Sequence, residues 1–460
     1  MTRDNLRAFG DQLRGDLIRP GDAEYDDARA VWNGMIDRLP AAIARCAGTD
    51  DVLATVAYAR DNALPLTVRG GGHNVSGSAV SDDGVVIDLS RMDAVHVDAA
   101  RRRVVAGGGA TIGDVDRVAQ EFGLAVPLGL VSKTGIAGLT LGGGLGWLRR
   151  AYGASCDNLV AADVVTATGE RLHASETENP ELLWGLRGGG GGLGVVTSFE
   201  FRAYPVPPQV SFALVFHPWH DAKAALQHYR EWADTAPDDV SSFAILWHAP
   251  AIDEIPGEYH HQPVVVYAAV HCGDRAEARS DLSPLRDFGN PIADLSDAVP
   301  YAEVQQLFDE DYPAHIMRYY WKSLYLTGLD DAALETMRSL NEISPSPHST
   351  LDVWQLGGAF CRVAPDESAF GDRSAPFLLG IEANWEDPAD DEANIAWARR
   401  VHEAMSRFST GAEYLNFPGF FEDGEQSLLR KSVGANYARL SDLKGKYDPQ
   451  GLFALRGGFS

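Results

Sequence analysis

Lysine, cysteine and long apolar runs are scarce in this chain, and each scarcity excludes something. Only six of the 39 basic residues are lysine, and 65 acidic residues leave a formal charge of −26. A surface of that sign repels phosphate backbones and anionic headgroups, so neither nucleic acid nor membrane is expected as a partner. The acid excess would suit a solvated surface at high salt, while the preference for arginine also follows from a GC-biased genome. No apolar run reaches the ~20 residues that a membrane span needs. Residues 1–10 offer neither an apolar signal core nor a twin-arginine pair, so a soluble, cytoplasmic protein is expected. Cys46, Cys156, Cys272 and Cys361 lie far apart, with no CxxC or Cys/His spacing. Free thiols are expected, with neither a disulfide framework nor a metal site.

What is abundant is glycine, 47 in 460 residues, in a chain long enough for one large or two medium domains. Up to about residue 205, short β runs at 66–68, 85–89, 103–106, 159–166 and 194–201 alternate with helices such as 51–62, an α+β pattern. Asp50 or Asp51 is placed to cap that helix, and Pro65 closes the turn after it. Prolines cluster at 204–208, where a domain boundary is expected. Beyond it, strands are expected near 210–216, 243–247, 264–271, 316–326, 351–356 and 377–385, with helices such as 219–233 between them. That spacing suggests an antiparallel sheet with helices on one face. Nothing in the sequence sets an oligomeric state.

Three glycine clusters stand out: Arg69-Gly70-Gly71-Gly72-His73-Asn74-Val75-Ser76-Gly77, the run from Gly135 to Gly146, and the run from Gly188 to Gly194. Taken singly, each reads as a set of tight turns. Together they offer inward-facing N–H groups that can hold a pyrophosphate, which a net-negative protein needs for a dinucleotide cofactor. No cluster sits in the strand–GxGxxG–helix context of an NAD site.

Arg69 to His73, the segment 188–197, and the tail Asn436-Tyr437-Ala438-Arg439-Leu440 with Lys446-Tyr447-Asp448-Pro449 and Phe453 resemble the berberine bridge enzyme-like FAD-linked oxidases of the vanillyl-alcohol oxidase superfamily. The resemblance runs from about Tyr25 to Phe459. It implies a PCMH-type FAD-binding domain of two subdomains in residues 1–205, a substrate domain with a helix-covered antiparallel sheet in 206–420, and a return to the FAD domain in 421–460. It also implies FAD bound covalently through His73. The implied cofactor contacts are Arg69, Gly70, Gly71, Gly72, His73, Asn74, Gly77, Val131, Thr134, Gly135, Gly138, Leu139, Gly142, Gly143, Gly144, Gly146, Gly194, Val196, Asn436 and Tyr437.

Many members of the family carry a second thioether from a cysteine in a Cys-Pro-x-Val-Gly stretch. Aligning the glycines puts Val131 at that cysteine, within Val131-Ser132-Lys133-Thr134-Gly135, so a single link is expected, as in 6-hydroxynicotine oxidase-like members. Cys156 lies past the glycine run and reads as a buried thiol. Thr134 and Leu139 fall where the family lines the approach of oxygen.

On the substrate side, Glu413-Tyr414-Leu415-Asn416-Phe417 looks like the family's Tyr-x-Asn-Tyr segment, with Phe417 in place of the last tyrosine. Tyr414 is thereby implied as the base; a phenol of pKa about 10 needs a depressed value or a concerted transfer for that role. Glu382 and Gln355 stand on expected strands as either substrate contacts or solvated positions, since only alternate residues face the flavin. Tyr152 and Tyr320 fit a core at least as well. The implied activity is oxidation of a small molecule with O2 as acceptor, giving H2O2. The alternatives are a dehydrogenase with another acceptor, separated by peroxide formation, and a flavin-bearing binding protein, separated by flavin bleaching.

Overall fold

The computed structural model describes residues 3–420 and 425–453; Phe459 lies outside them. The short β-branched runs of the first 205 residues fold as Leu66–Arg69, Val85–Asp88, Arg103–Gly107, Leu159–Val165 and Val195–Arg202. They separate into two sheets. Val85–Asp88 pairs parallel with both Ala42–Arg45 and Leu66–Arg69, and Asp16–Ile18 adds antiparallel at the edge. Val195–Arg202 sits at the centre of a five-stranded antiparallel sheet, between Arg103–Gly107 and Leu159–Val165.

Helix Thr49–Asp61 presents Val52, Val56 and Ala59 to the first sheet, one helical stripe buried against Val85 and Ile87. Its start corrects the sequence reading. The N-cap is Gly48, without a side-chain bond, and Asp51 accepts from the N–H groups of Arg14, Gly15 and Ala47 instead. Asp51 therefore ties the N-terminal segment to the helix, because three donors to one buried carboxylate outweigh a single cap bond.

Beyond residue 205 the strands form one eight-stranded antiparallel sheet. Its order is Ala293–Asp294, Val210–Pro218, Pro263–His271, Val240–His248, Thr350–Gln355, Phe377–Trp385 and Arg318–Leu326, and Asp297–Val299 also pairs with Val210–Pro218. Alternation divides its two faces cleanly. Tyr320, Leu324, Val353, Leu379 and Ile381 pack under helices Ala222–Ala233, Asp331–Asn341 and Asp391–Met405, whereas Tyr319, Trp321, Trp354 and Leu378 face the glycine-rich half. Each large apolar side chain buried here contributes roughly 1.5–3 kcal/mol. Tyr320 is thus a core residue, and Tyr152 stacks on Tyr204 at 3.9 Å.

Two arginines on helix Arg149–Tyr152 join the halves. Arg149 donates to the carbonyls of Gly146, Ser242 and Gln355, and Arg150 to those of Val240, Ala236 and Leu356. In the C-terminal helices Glu425–Val433 and Tyr437–Tyr447, Leu429, Val433, Leu440 and Leu443 join the core of the five-stranded sheet. No helix among the described residues is long and apolar enough to cross a membrane.

Candidate active site

A cavity of about 780 Å³ lies between the glycine loops and the open face of the eight-stranded sheet. Its first wall is made by backbone contact between loops. A Cβ on Gly71 would run into the backbone of Gly135, and one on Gly135 into that of Gly71, so only two glycines allow the loops to touch. Gly70, Gly71, Gly72, His73, Asn74, Val131, Thr134, Gly135, Gly138, Leu139, Gly142, Gly194 and Val196 all line this cavity. Lys444 lines it too, with its ammonium group beside Gly192.

His73 projects from the end of the first loop into a stack of rings. Trp32 lies between it and Tyr319, with ring centroids 4.3 and 3.6 Å apart, and the Trp32 indole N–H donates to the Tyr312 carbonyl at 3.0 Å. His73 Nε2 is buried without a partner. Burial pushes the imidazole down to about 4, so the ring is neutral at pH 7. All four cysteines are free. Burial raises the Cys156 thiol well above its ordinary value, and Cys156 lies outside the cavity wall.

Several of the expected contacts stand outside the cavity wall or turn their side chains to other partners. Arg69 turns its guanidinium away to Asp88, 2.7 Å off, and to the carbonyls of Ala28 and Ala30. Burial alone would raise the Asp88 carboxyl, but Arg69 holds it below its ordinary value. Gly77 packs on Ile36, while Gly143 lies against Phe370, Gly144 against Ser155 and Gly146 against the Leu128 carbonyl; all four are close-packing glycines outside the wall. The Asn436 amide donates to the carbonyls of Pro365, Ser368 and Phe370, and the Tyr437 ring carries the Arg430 guanidinium at 4.0 Å, so neither lines the cavity.

On the sheet wall, Tyr414 and Glu382 line the cavity and Gln355 does not. Gln355 has the wrong parity. On the helix-covered face its amide donates to the Ala233 carbonyl at 2.6 Å and its oxygen accepts from Ser242 Oγ at 2.8 Å. Thr350, Asp352 and Trp354, of opposite parity on the same strand, face the cavity instead. Sequence reasoning passed over them, although alternation alone would have offered Asp352 as the alternative to Gln355. The Tyr414 oxygen accepts from Gly144 N at 3.0 Å and from the Asn416 amide at 2.9 Å. Burial nonetheless raises the phenol above its ordinary value. Glu382 accepts from the Tyr312 hydroxyl at 2.8 Å; burial and then the nearby Asp352 push its carboxyl far up, and burial raises Asp352 as well.

Glycine loops in backbone contact, facing a pocket with titratable groups, suit a dinucleotide-dependent oxidoreductase, and comparison with known proteins names the class. Residues 40–175 match the FAD binding domain family. The chain is 31% identical over 453 residues to the uncharacterized FAD-linked oxidoreductase YgaK of Bacillus subtilis (strain 168), which covers 96% of both chains. The structure is similar to that of 6-hydroxy-D-nicotine oxidase from Arthrobacter nicotinovorans, with a TM-score of 0.85, 29% identity and 96% of each chain covered. It also shares its fold with BBE-like 1 of Physcomitrella patens, at a TM-score of 0.88, 21% identity and 99% coverage of each chain. The chain belongs to the family of FAD-linked oxidoreductases that includes YgaK, and it has the fold of the berberine bridge enzyme-like proteins. It is an FAD-dependent oxidoreductase.

Proposed function

We propose that this chain is an oxidase that holds FAD through a single covalent bond to His73, oxidises an alcohol or amine carbon of a small organic molecule by hydride transfer to flavin N5, and uses O2 as acceptor to give H2O2. The observation that carries this reading is the neutral His73 imidazole, whose Nε2 is buried and unpartnered in a glycine-walled cavity. An unprotonated ring nitrogen keeps the lone pair needed for an N–C bond, and burial keeps it unprotonated. Val131 offers no thiol for a second bond, and Cys156 is held elsewhere.

Gly70, Gly71, Gly135 and Gly138 would meet the pyrophosphate with their backbones, and Lys444 adds a cation that the net charge of the chain does not supply. Thr134 and Leu139, both in the cavity wall, are assigned to the approach of O2. Residues 1–205 and 421–460 are assigned to FAD, residues 206–420 to substrate, and the setting to the cytoplasm.

Proton handling is assigned to Glu382 with Asp352. A buried phenol whose pKa has risen does not rest as phenolate, so Tyr414 is a hydrogen-bonding group rather than a resting base. Two nearby carboxyls that share one proton can accept another. The purified protein, precipitated in acid, is expected to give a yellow pellet, and turnover is expected to release one peroxide per substrate. A white pellet over a yellow supernatant would refute covalency. Turnover without peroxide would favour the dehydrogenase.

A further inference from the structure

Asp352 and Glu382 stand on neighbouring strands of the sheet, on the face toward the cavity, with Thr350 in register opposite Glu382 and Gly380 opposite Asp352. The bare Gly380 leaves a niche between them. A Cβ there would lie 3.4 Å from Glu382 Oε1, 3.4 Å from Trp354 Nε1 and 3.5 Å from Asp352 Cβ. Both carboxyls are nine-tenths buried or more, at 7% and 2% exposure. Among the described residues neither forms an ion pair. Arg149 lies behind the rings of Phe243 and Trp354, at 4.9 and 5.3 Å, and donates to carbonyl groups.

A buried carboxylate without a counter-charge is costly, so such groups are normally paired, protonated or liganded. Tyr312 satisfies one oxygen of Glu382. Asp352 Oδ1, Thr350 Oγ1 and Trp354 Nε1 are buried, and the neighbours that act on the Asp352 carboxyl are the Thr350 and Glu382 side chains. Asn384, beside them, is already engaged by Trp321 and by the His348 carbonyl. A pair that holds one proton between its two carboxyls presents one negative charge, which a cationic ligand would meet. The surrounding wall is aromatic: Trp321, Trp354, Phe243 and Phe417 meet edge to face at 4.6 to 6.1 Å. Ring faces beside a carboxylate attract an ammonium group, which interacts with both.

We infer that Asp352 and Glu382, framed by Trp321 and Trp354, form the recognition site for a protonated amine nitrogen of the substrate. The inference rests on the flavin reading above and narrows its substrate from alcohol or amine to a cationic amine carrying an apolar or aromatic body. A neutral polyol could bond Thr350 Oγ1 and Trp354 Nε1, but it would bring no charge to meet that of the carboxyl pair. The acidic surface, −26 in all, draws cations toward the protein before they reach the pair.

The test is ligand binding to the yellow holoenzyme without oxygen, read from perturbation of the flavin spectrum. The probes are benzyldimethylamine, protonated at pH 7, its neutral isostere isobutylbenzene, and cellobiose. Wild type is expected to bind the amine at least about tenfold tighter than isobutylbenzene, and cellobiose more weakly than either. Asp352→Asn is expected to remove that preference by weakening the amine alone; should it fail to fold, Glu382→Gln is read in its place. Equal binding of amine and isostere by wild type overturns the inference, as does a preference that survives in the variants or tightest binding of cellobiose. A protein that takes up no FAD refutes the flavin reading itself, an outcome distinct from a yellow protein without cation preference.

Discussion

Glu382 and Tyr414 face one cavity but differ in what burial does for them. Raising a carboxyl brings it toward the working range of a base, whereas raising a phenol takes it further away. Glu382→Gln is therefore expected to slow anaerobic flavin reduction in the stopped-flow by about 10²–10⁴-fold, and Tyr414→Phe by less than about tenfold. The reverse order would return the base to Tyr414. Trp32 is a positioning residue, since its ring holds His73 from one side and Tyr319 from the other. In Trp32→Leu the covalently held fraction of FAD, measured by denaturing chromatography, is expected to fall several-fold while dissociable FAD still binds; an unchanged covalent fraction would remove that role. The same scale explains why Gln355 misled. Its polarity was visible in the sequence, but its parity depends on strand register, and register is set by pairing with Phe377–Trp385 about 25 residues away.

The glycine loops were legible because their chemistry is local: consecutive residues without Cβ atoms turn backbone donors inward wherever they occur. Their mutual contact was not, since it joins residues some 64 positions apart. Gly71→Ala is expected to push the first loop off Gly135, costing about 1–3 kcal/mol and leaving a colourless protein of lower Tm. A yellow Gly71→Ala protein of unchanged Tm would mean that the two loops need not touch. The side-chain partners of Arg69 and Asn436 were illegible for a related reason: Asp88 and the 365–370 carbonyls, which hold them, come from other elements.

At the scale of the molecule, the two halves meet through buried polar contacts. Gln305, from the sheet half, donates to Asp116 Oδ2 and to the Gly129 carbonyl, both at 3.1 Å. Burial holds the Asp116 carboxyl up to about 7, against about 3.9 in an unfolded chain. The folded state thus binds this proton more tightly. Below pH ~4 both states hold it and stability is undiminished; stability then falls as pH rises through ~4 to 7 and levels off above. Asp116→Asn is expected to match wild-type stability at pH 4 and to exceed it at pH 8 by on the order of 4 kcal/mol, measured by denaturant unfolding. Equal pH profiles would contradict a buried, protonatable Asp116. This joint had no sequence signal, because an aspartate inside an amphipathic helix reads as a solvated position. The strands of both sheets, in contrast, followed from periodicity. His73 is the residue on which covalent flavin binding depends, and the most direct measurement is mass spectrometry of tryptic peptides from the yellow protein. FAD mass on the His73 peptide alone, with the Val131 and Cys156 peptides unmodified, is the expected result; an unmodified His73 peptide from fully yellow protein would contradict it.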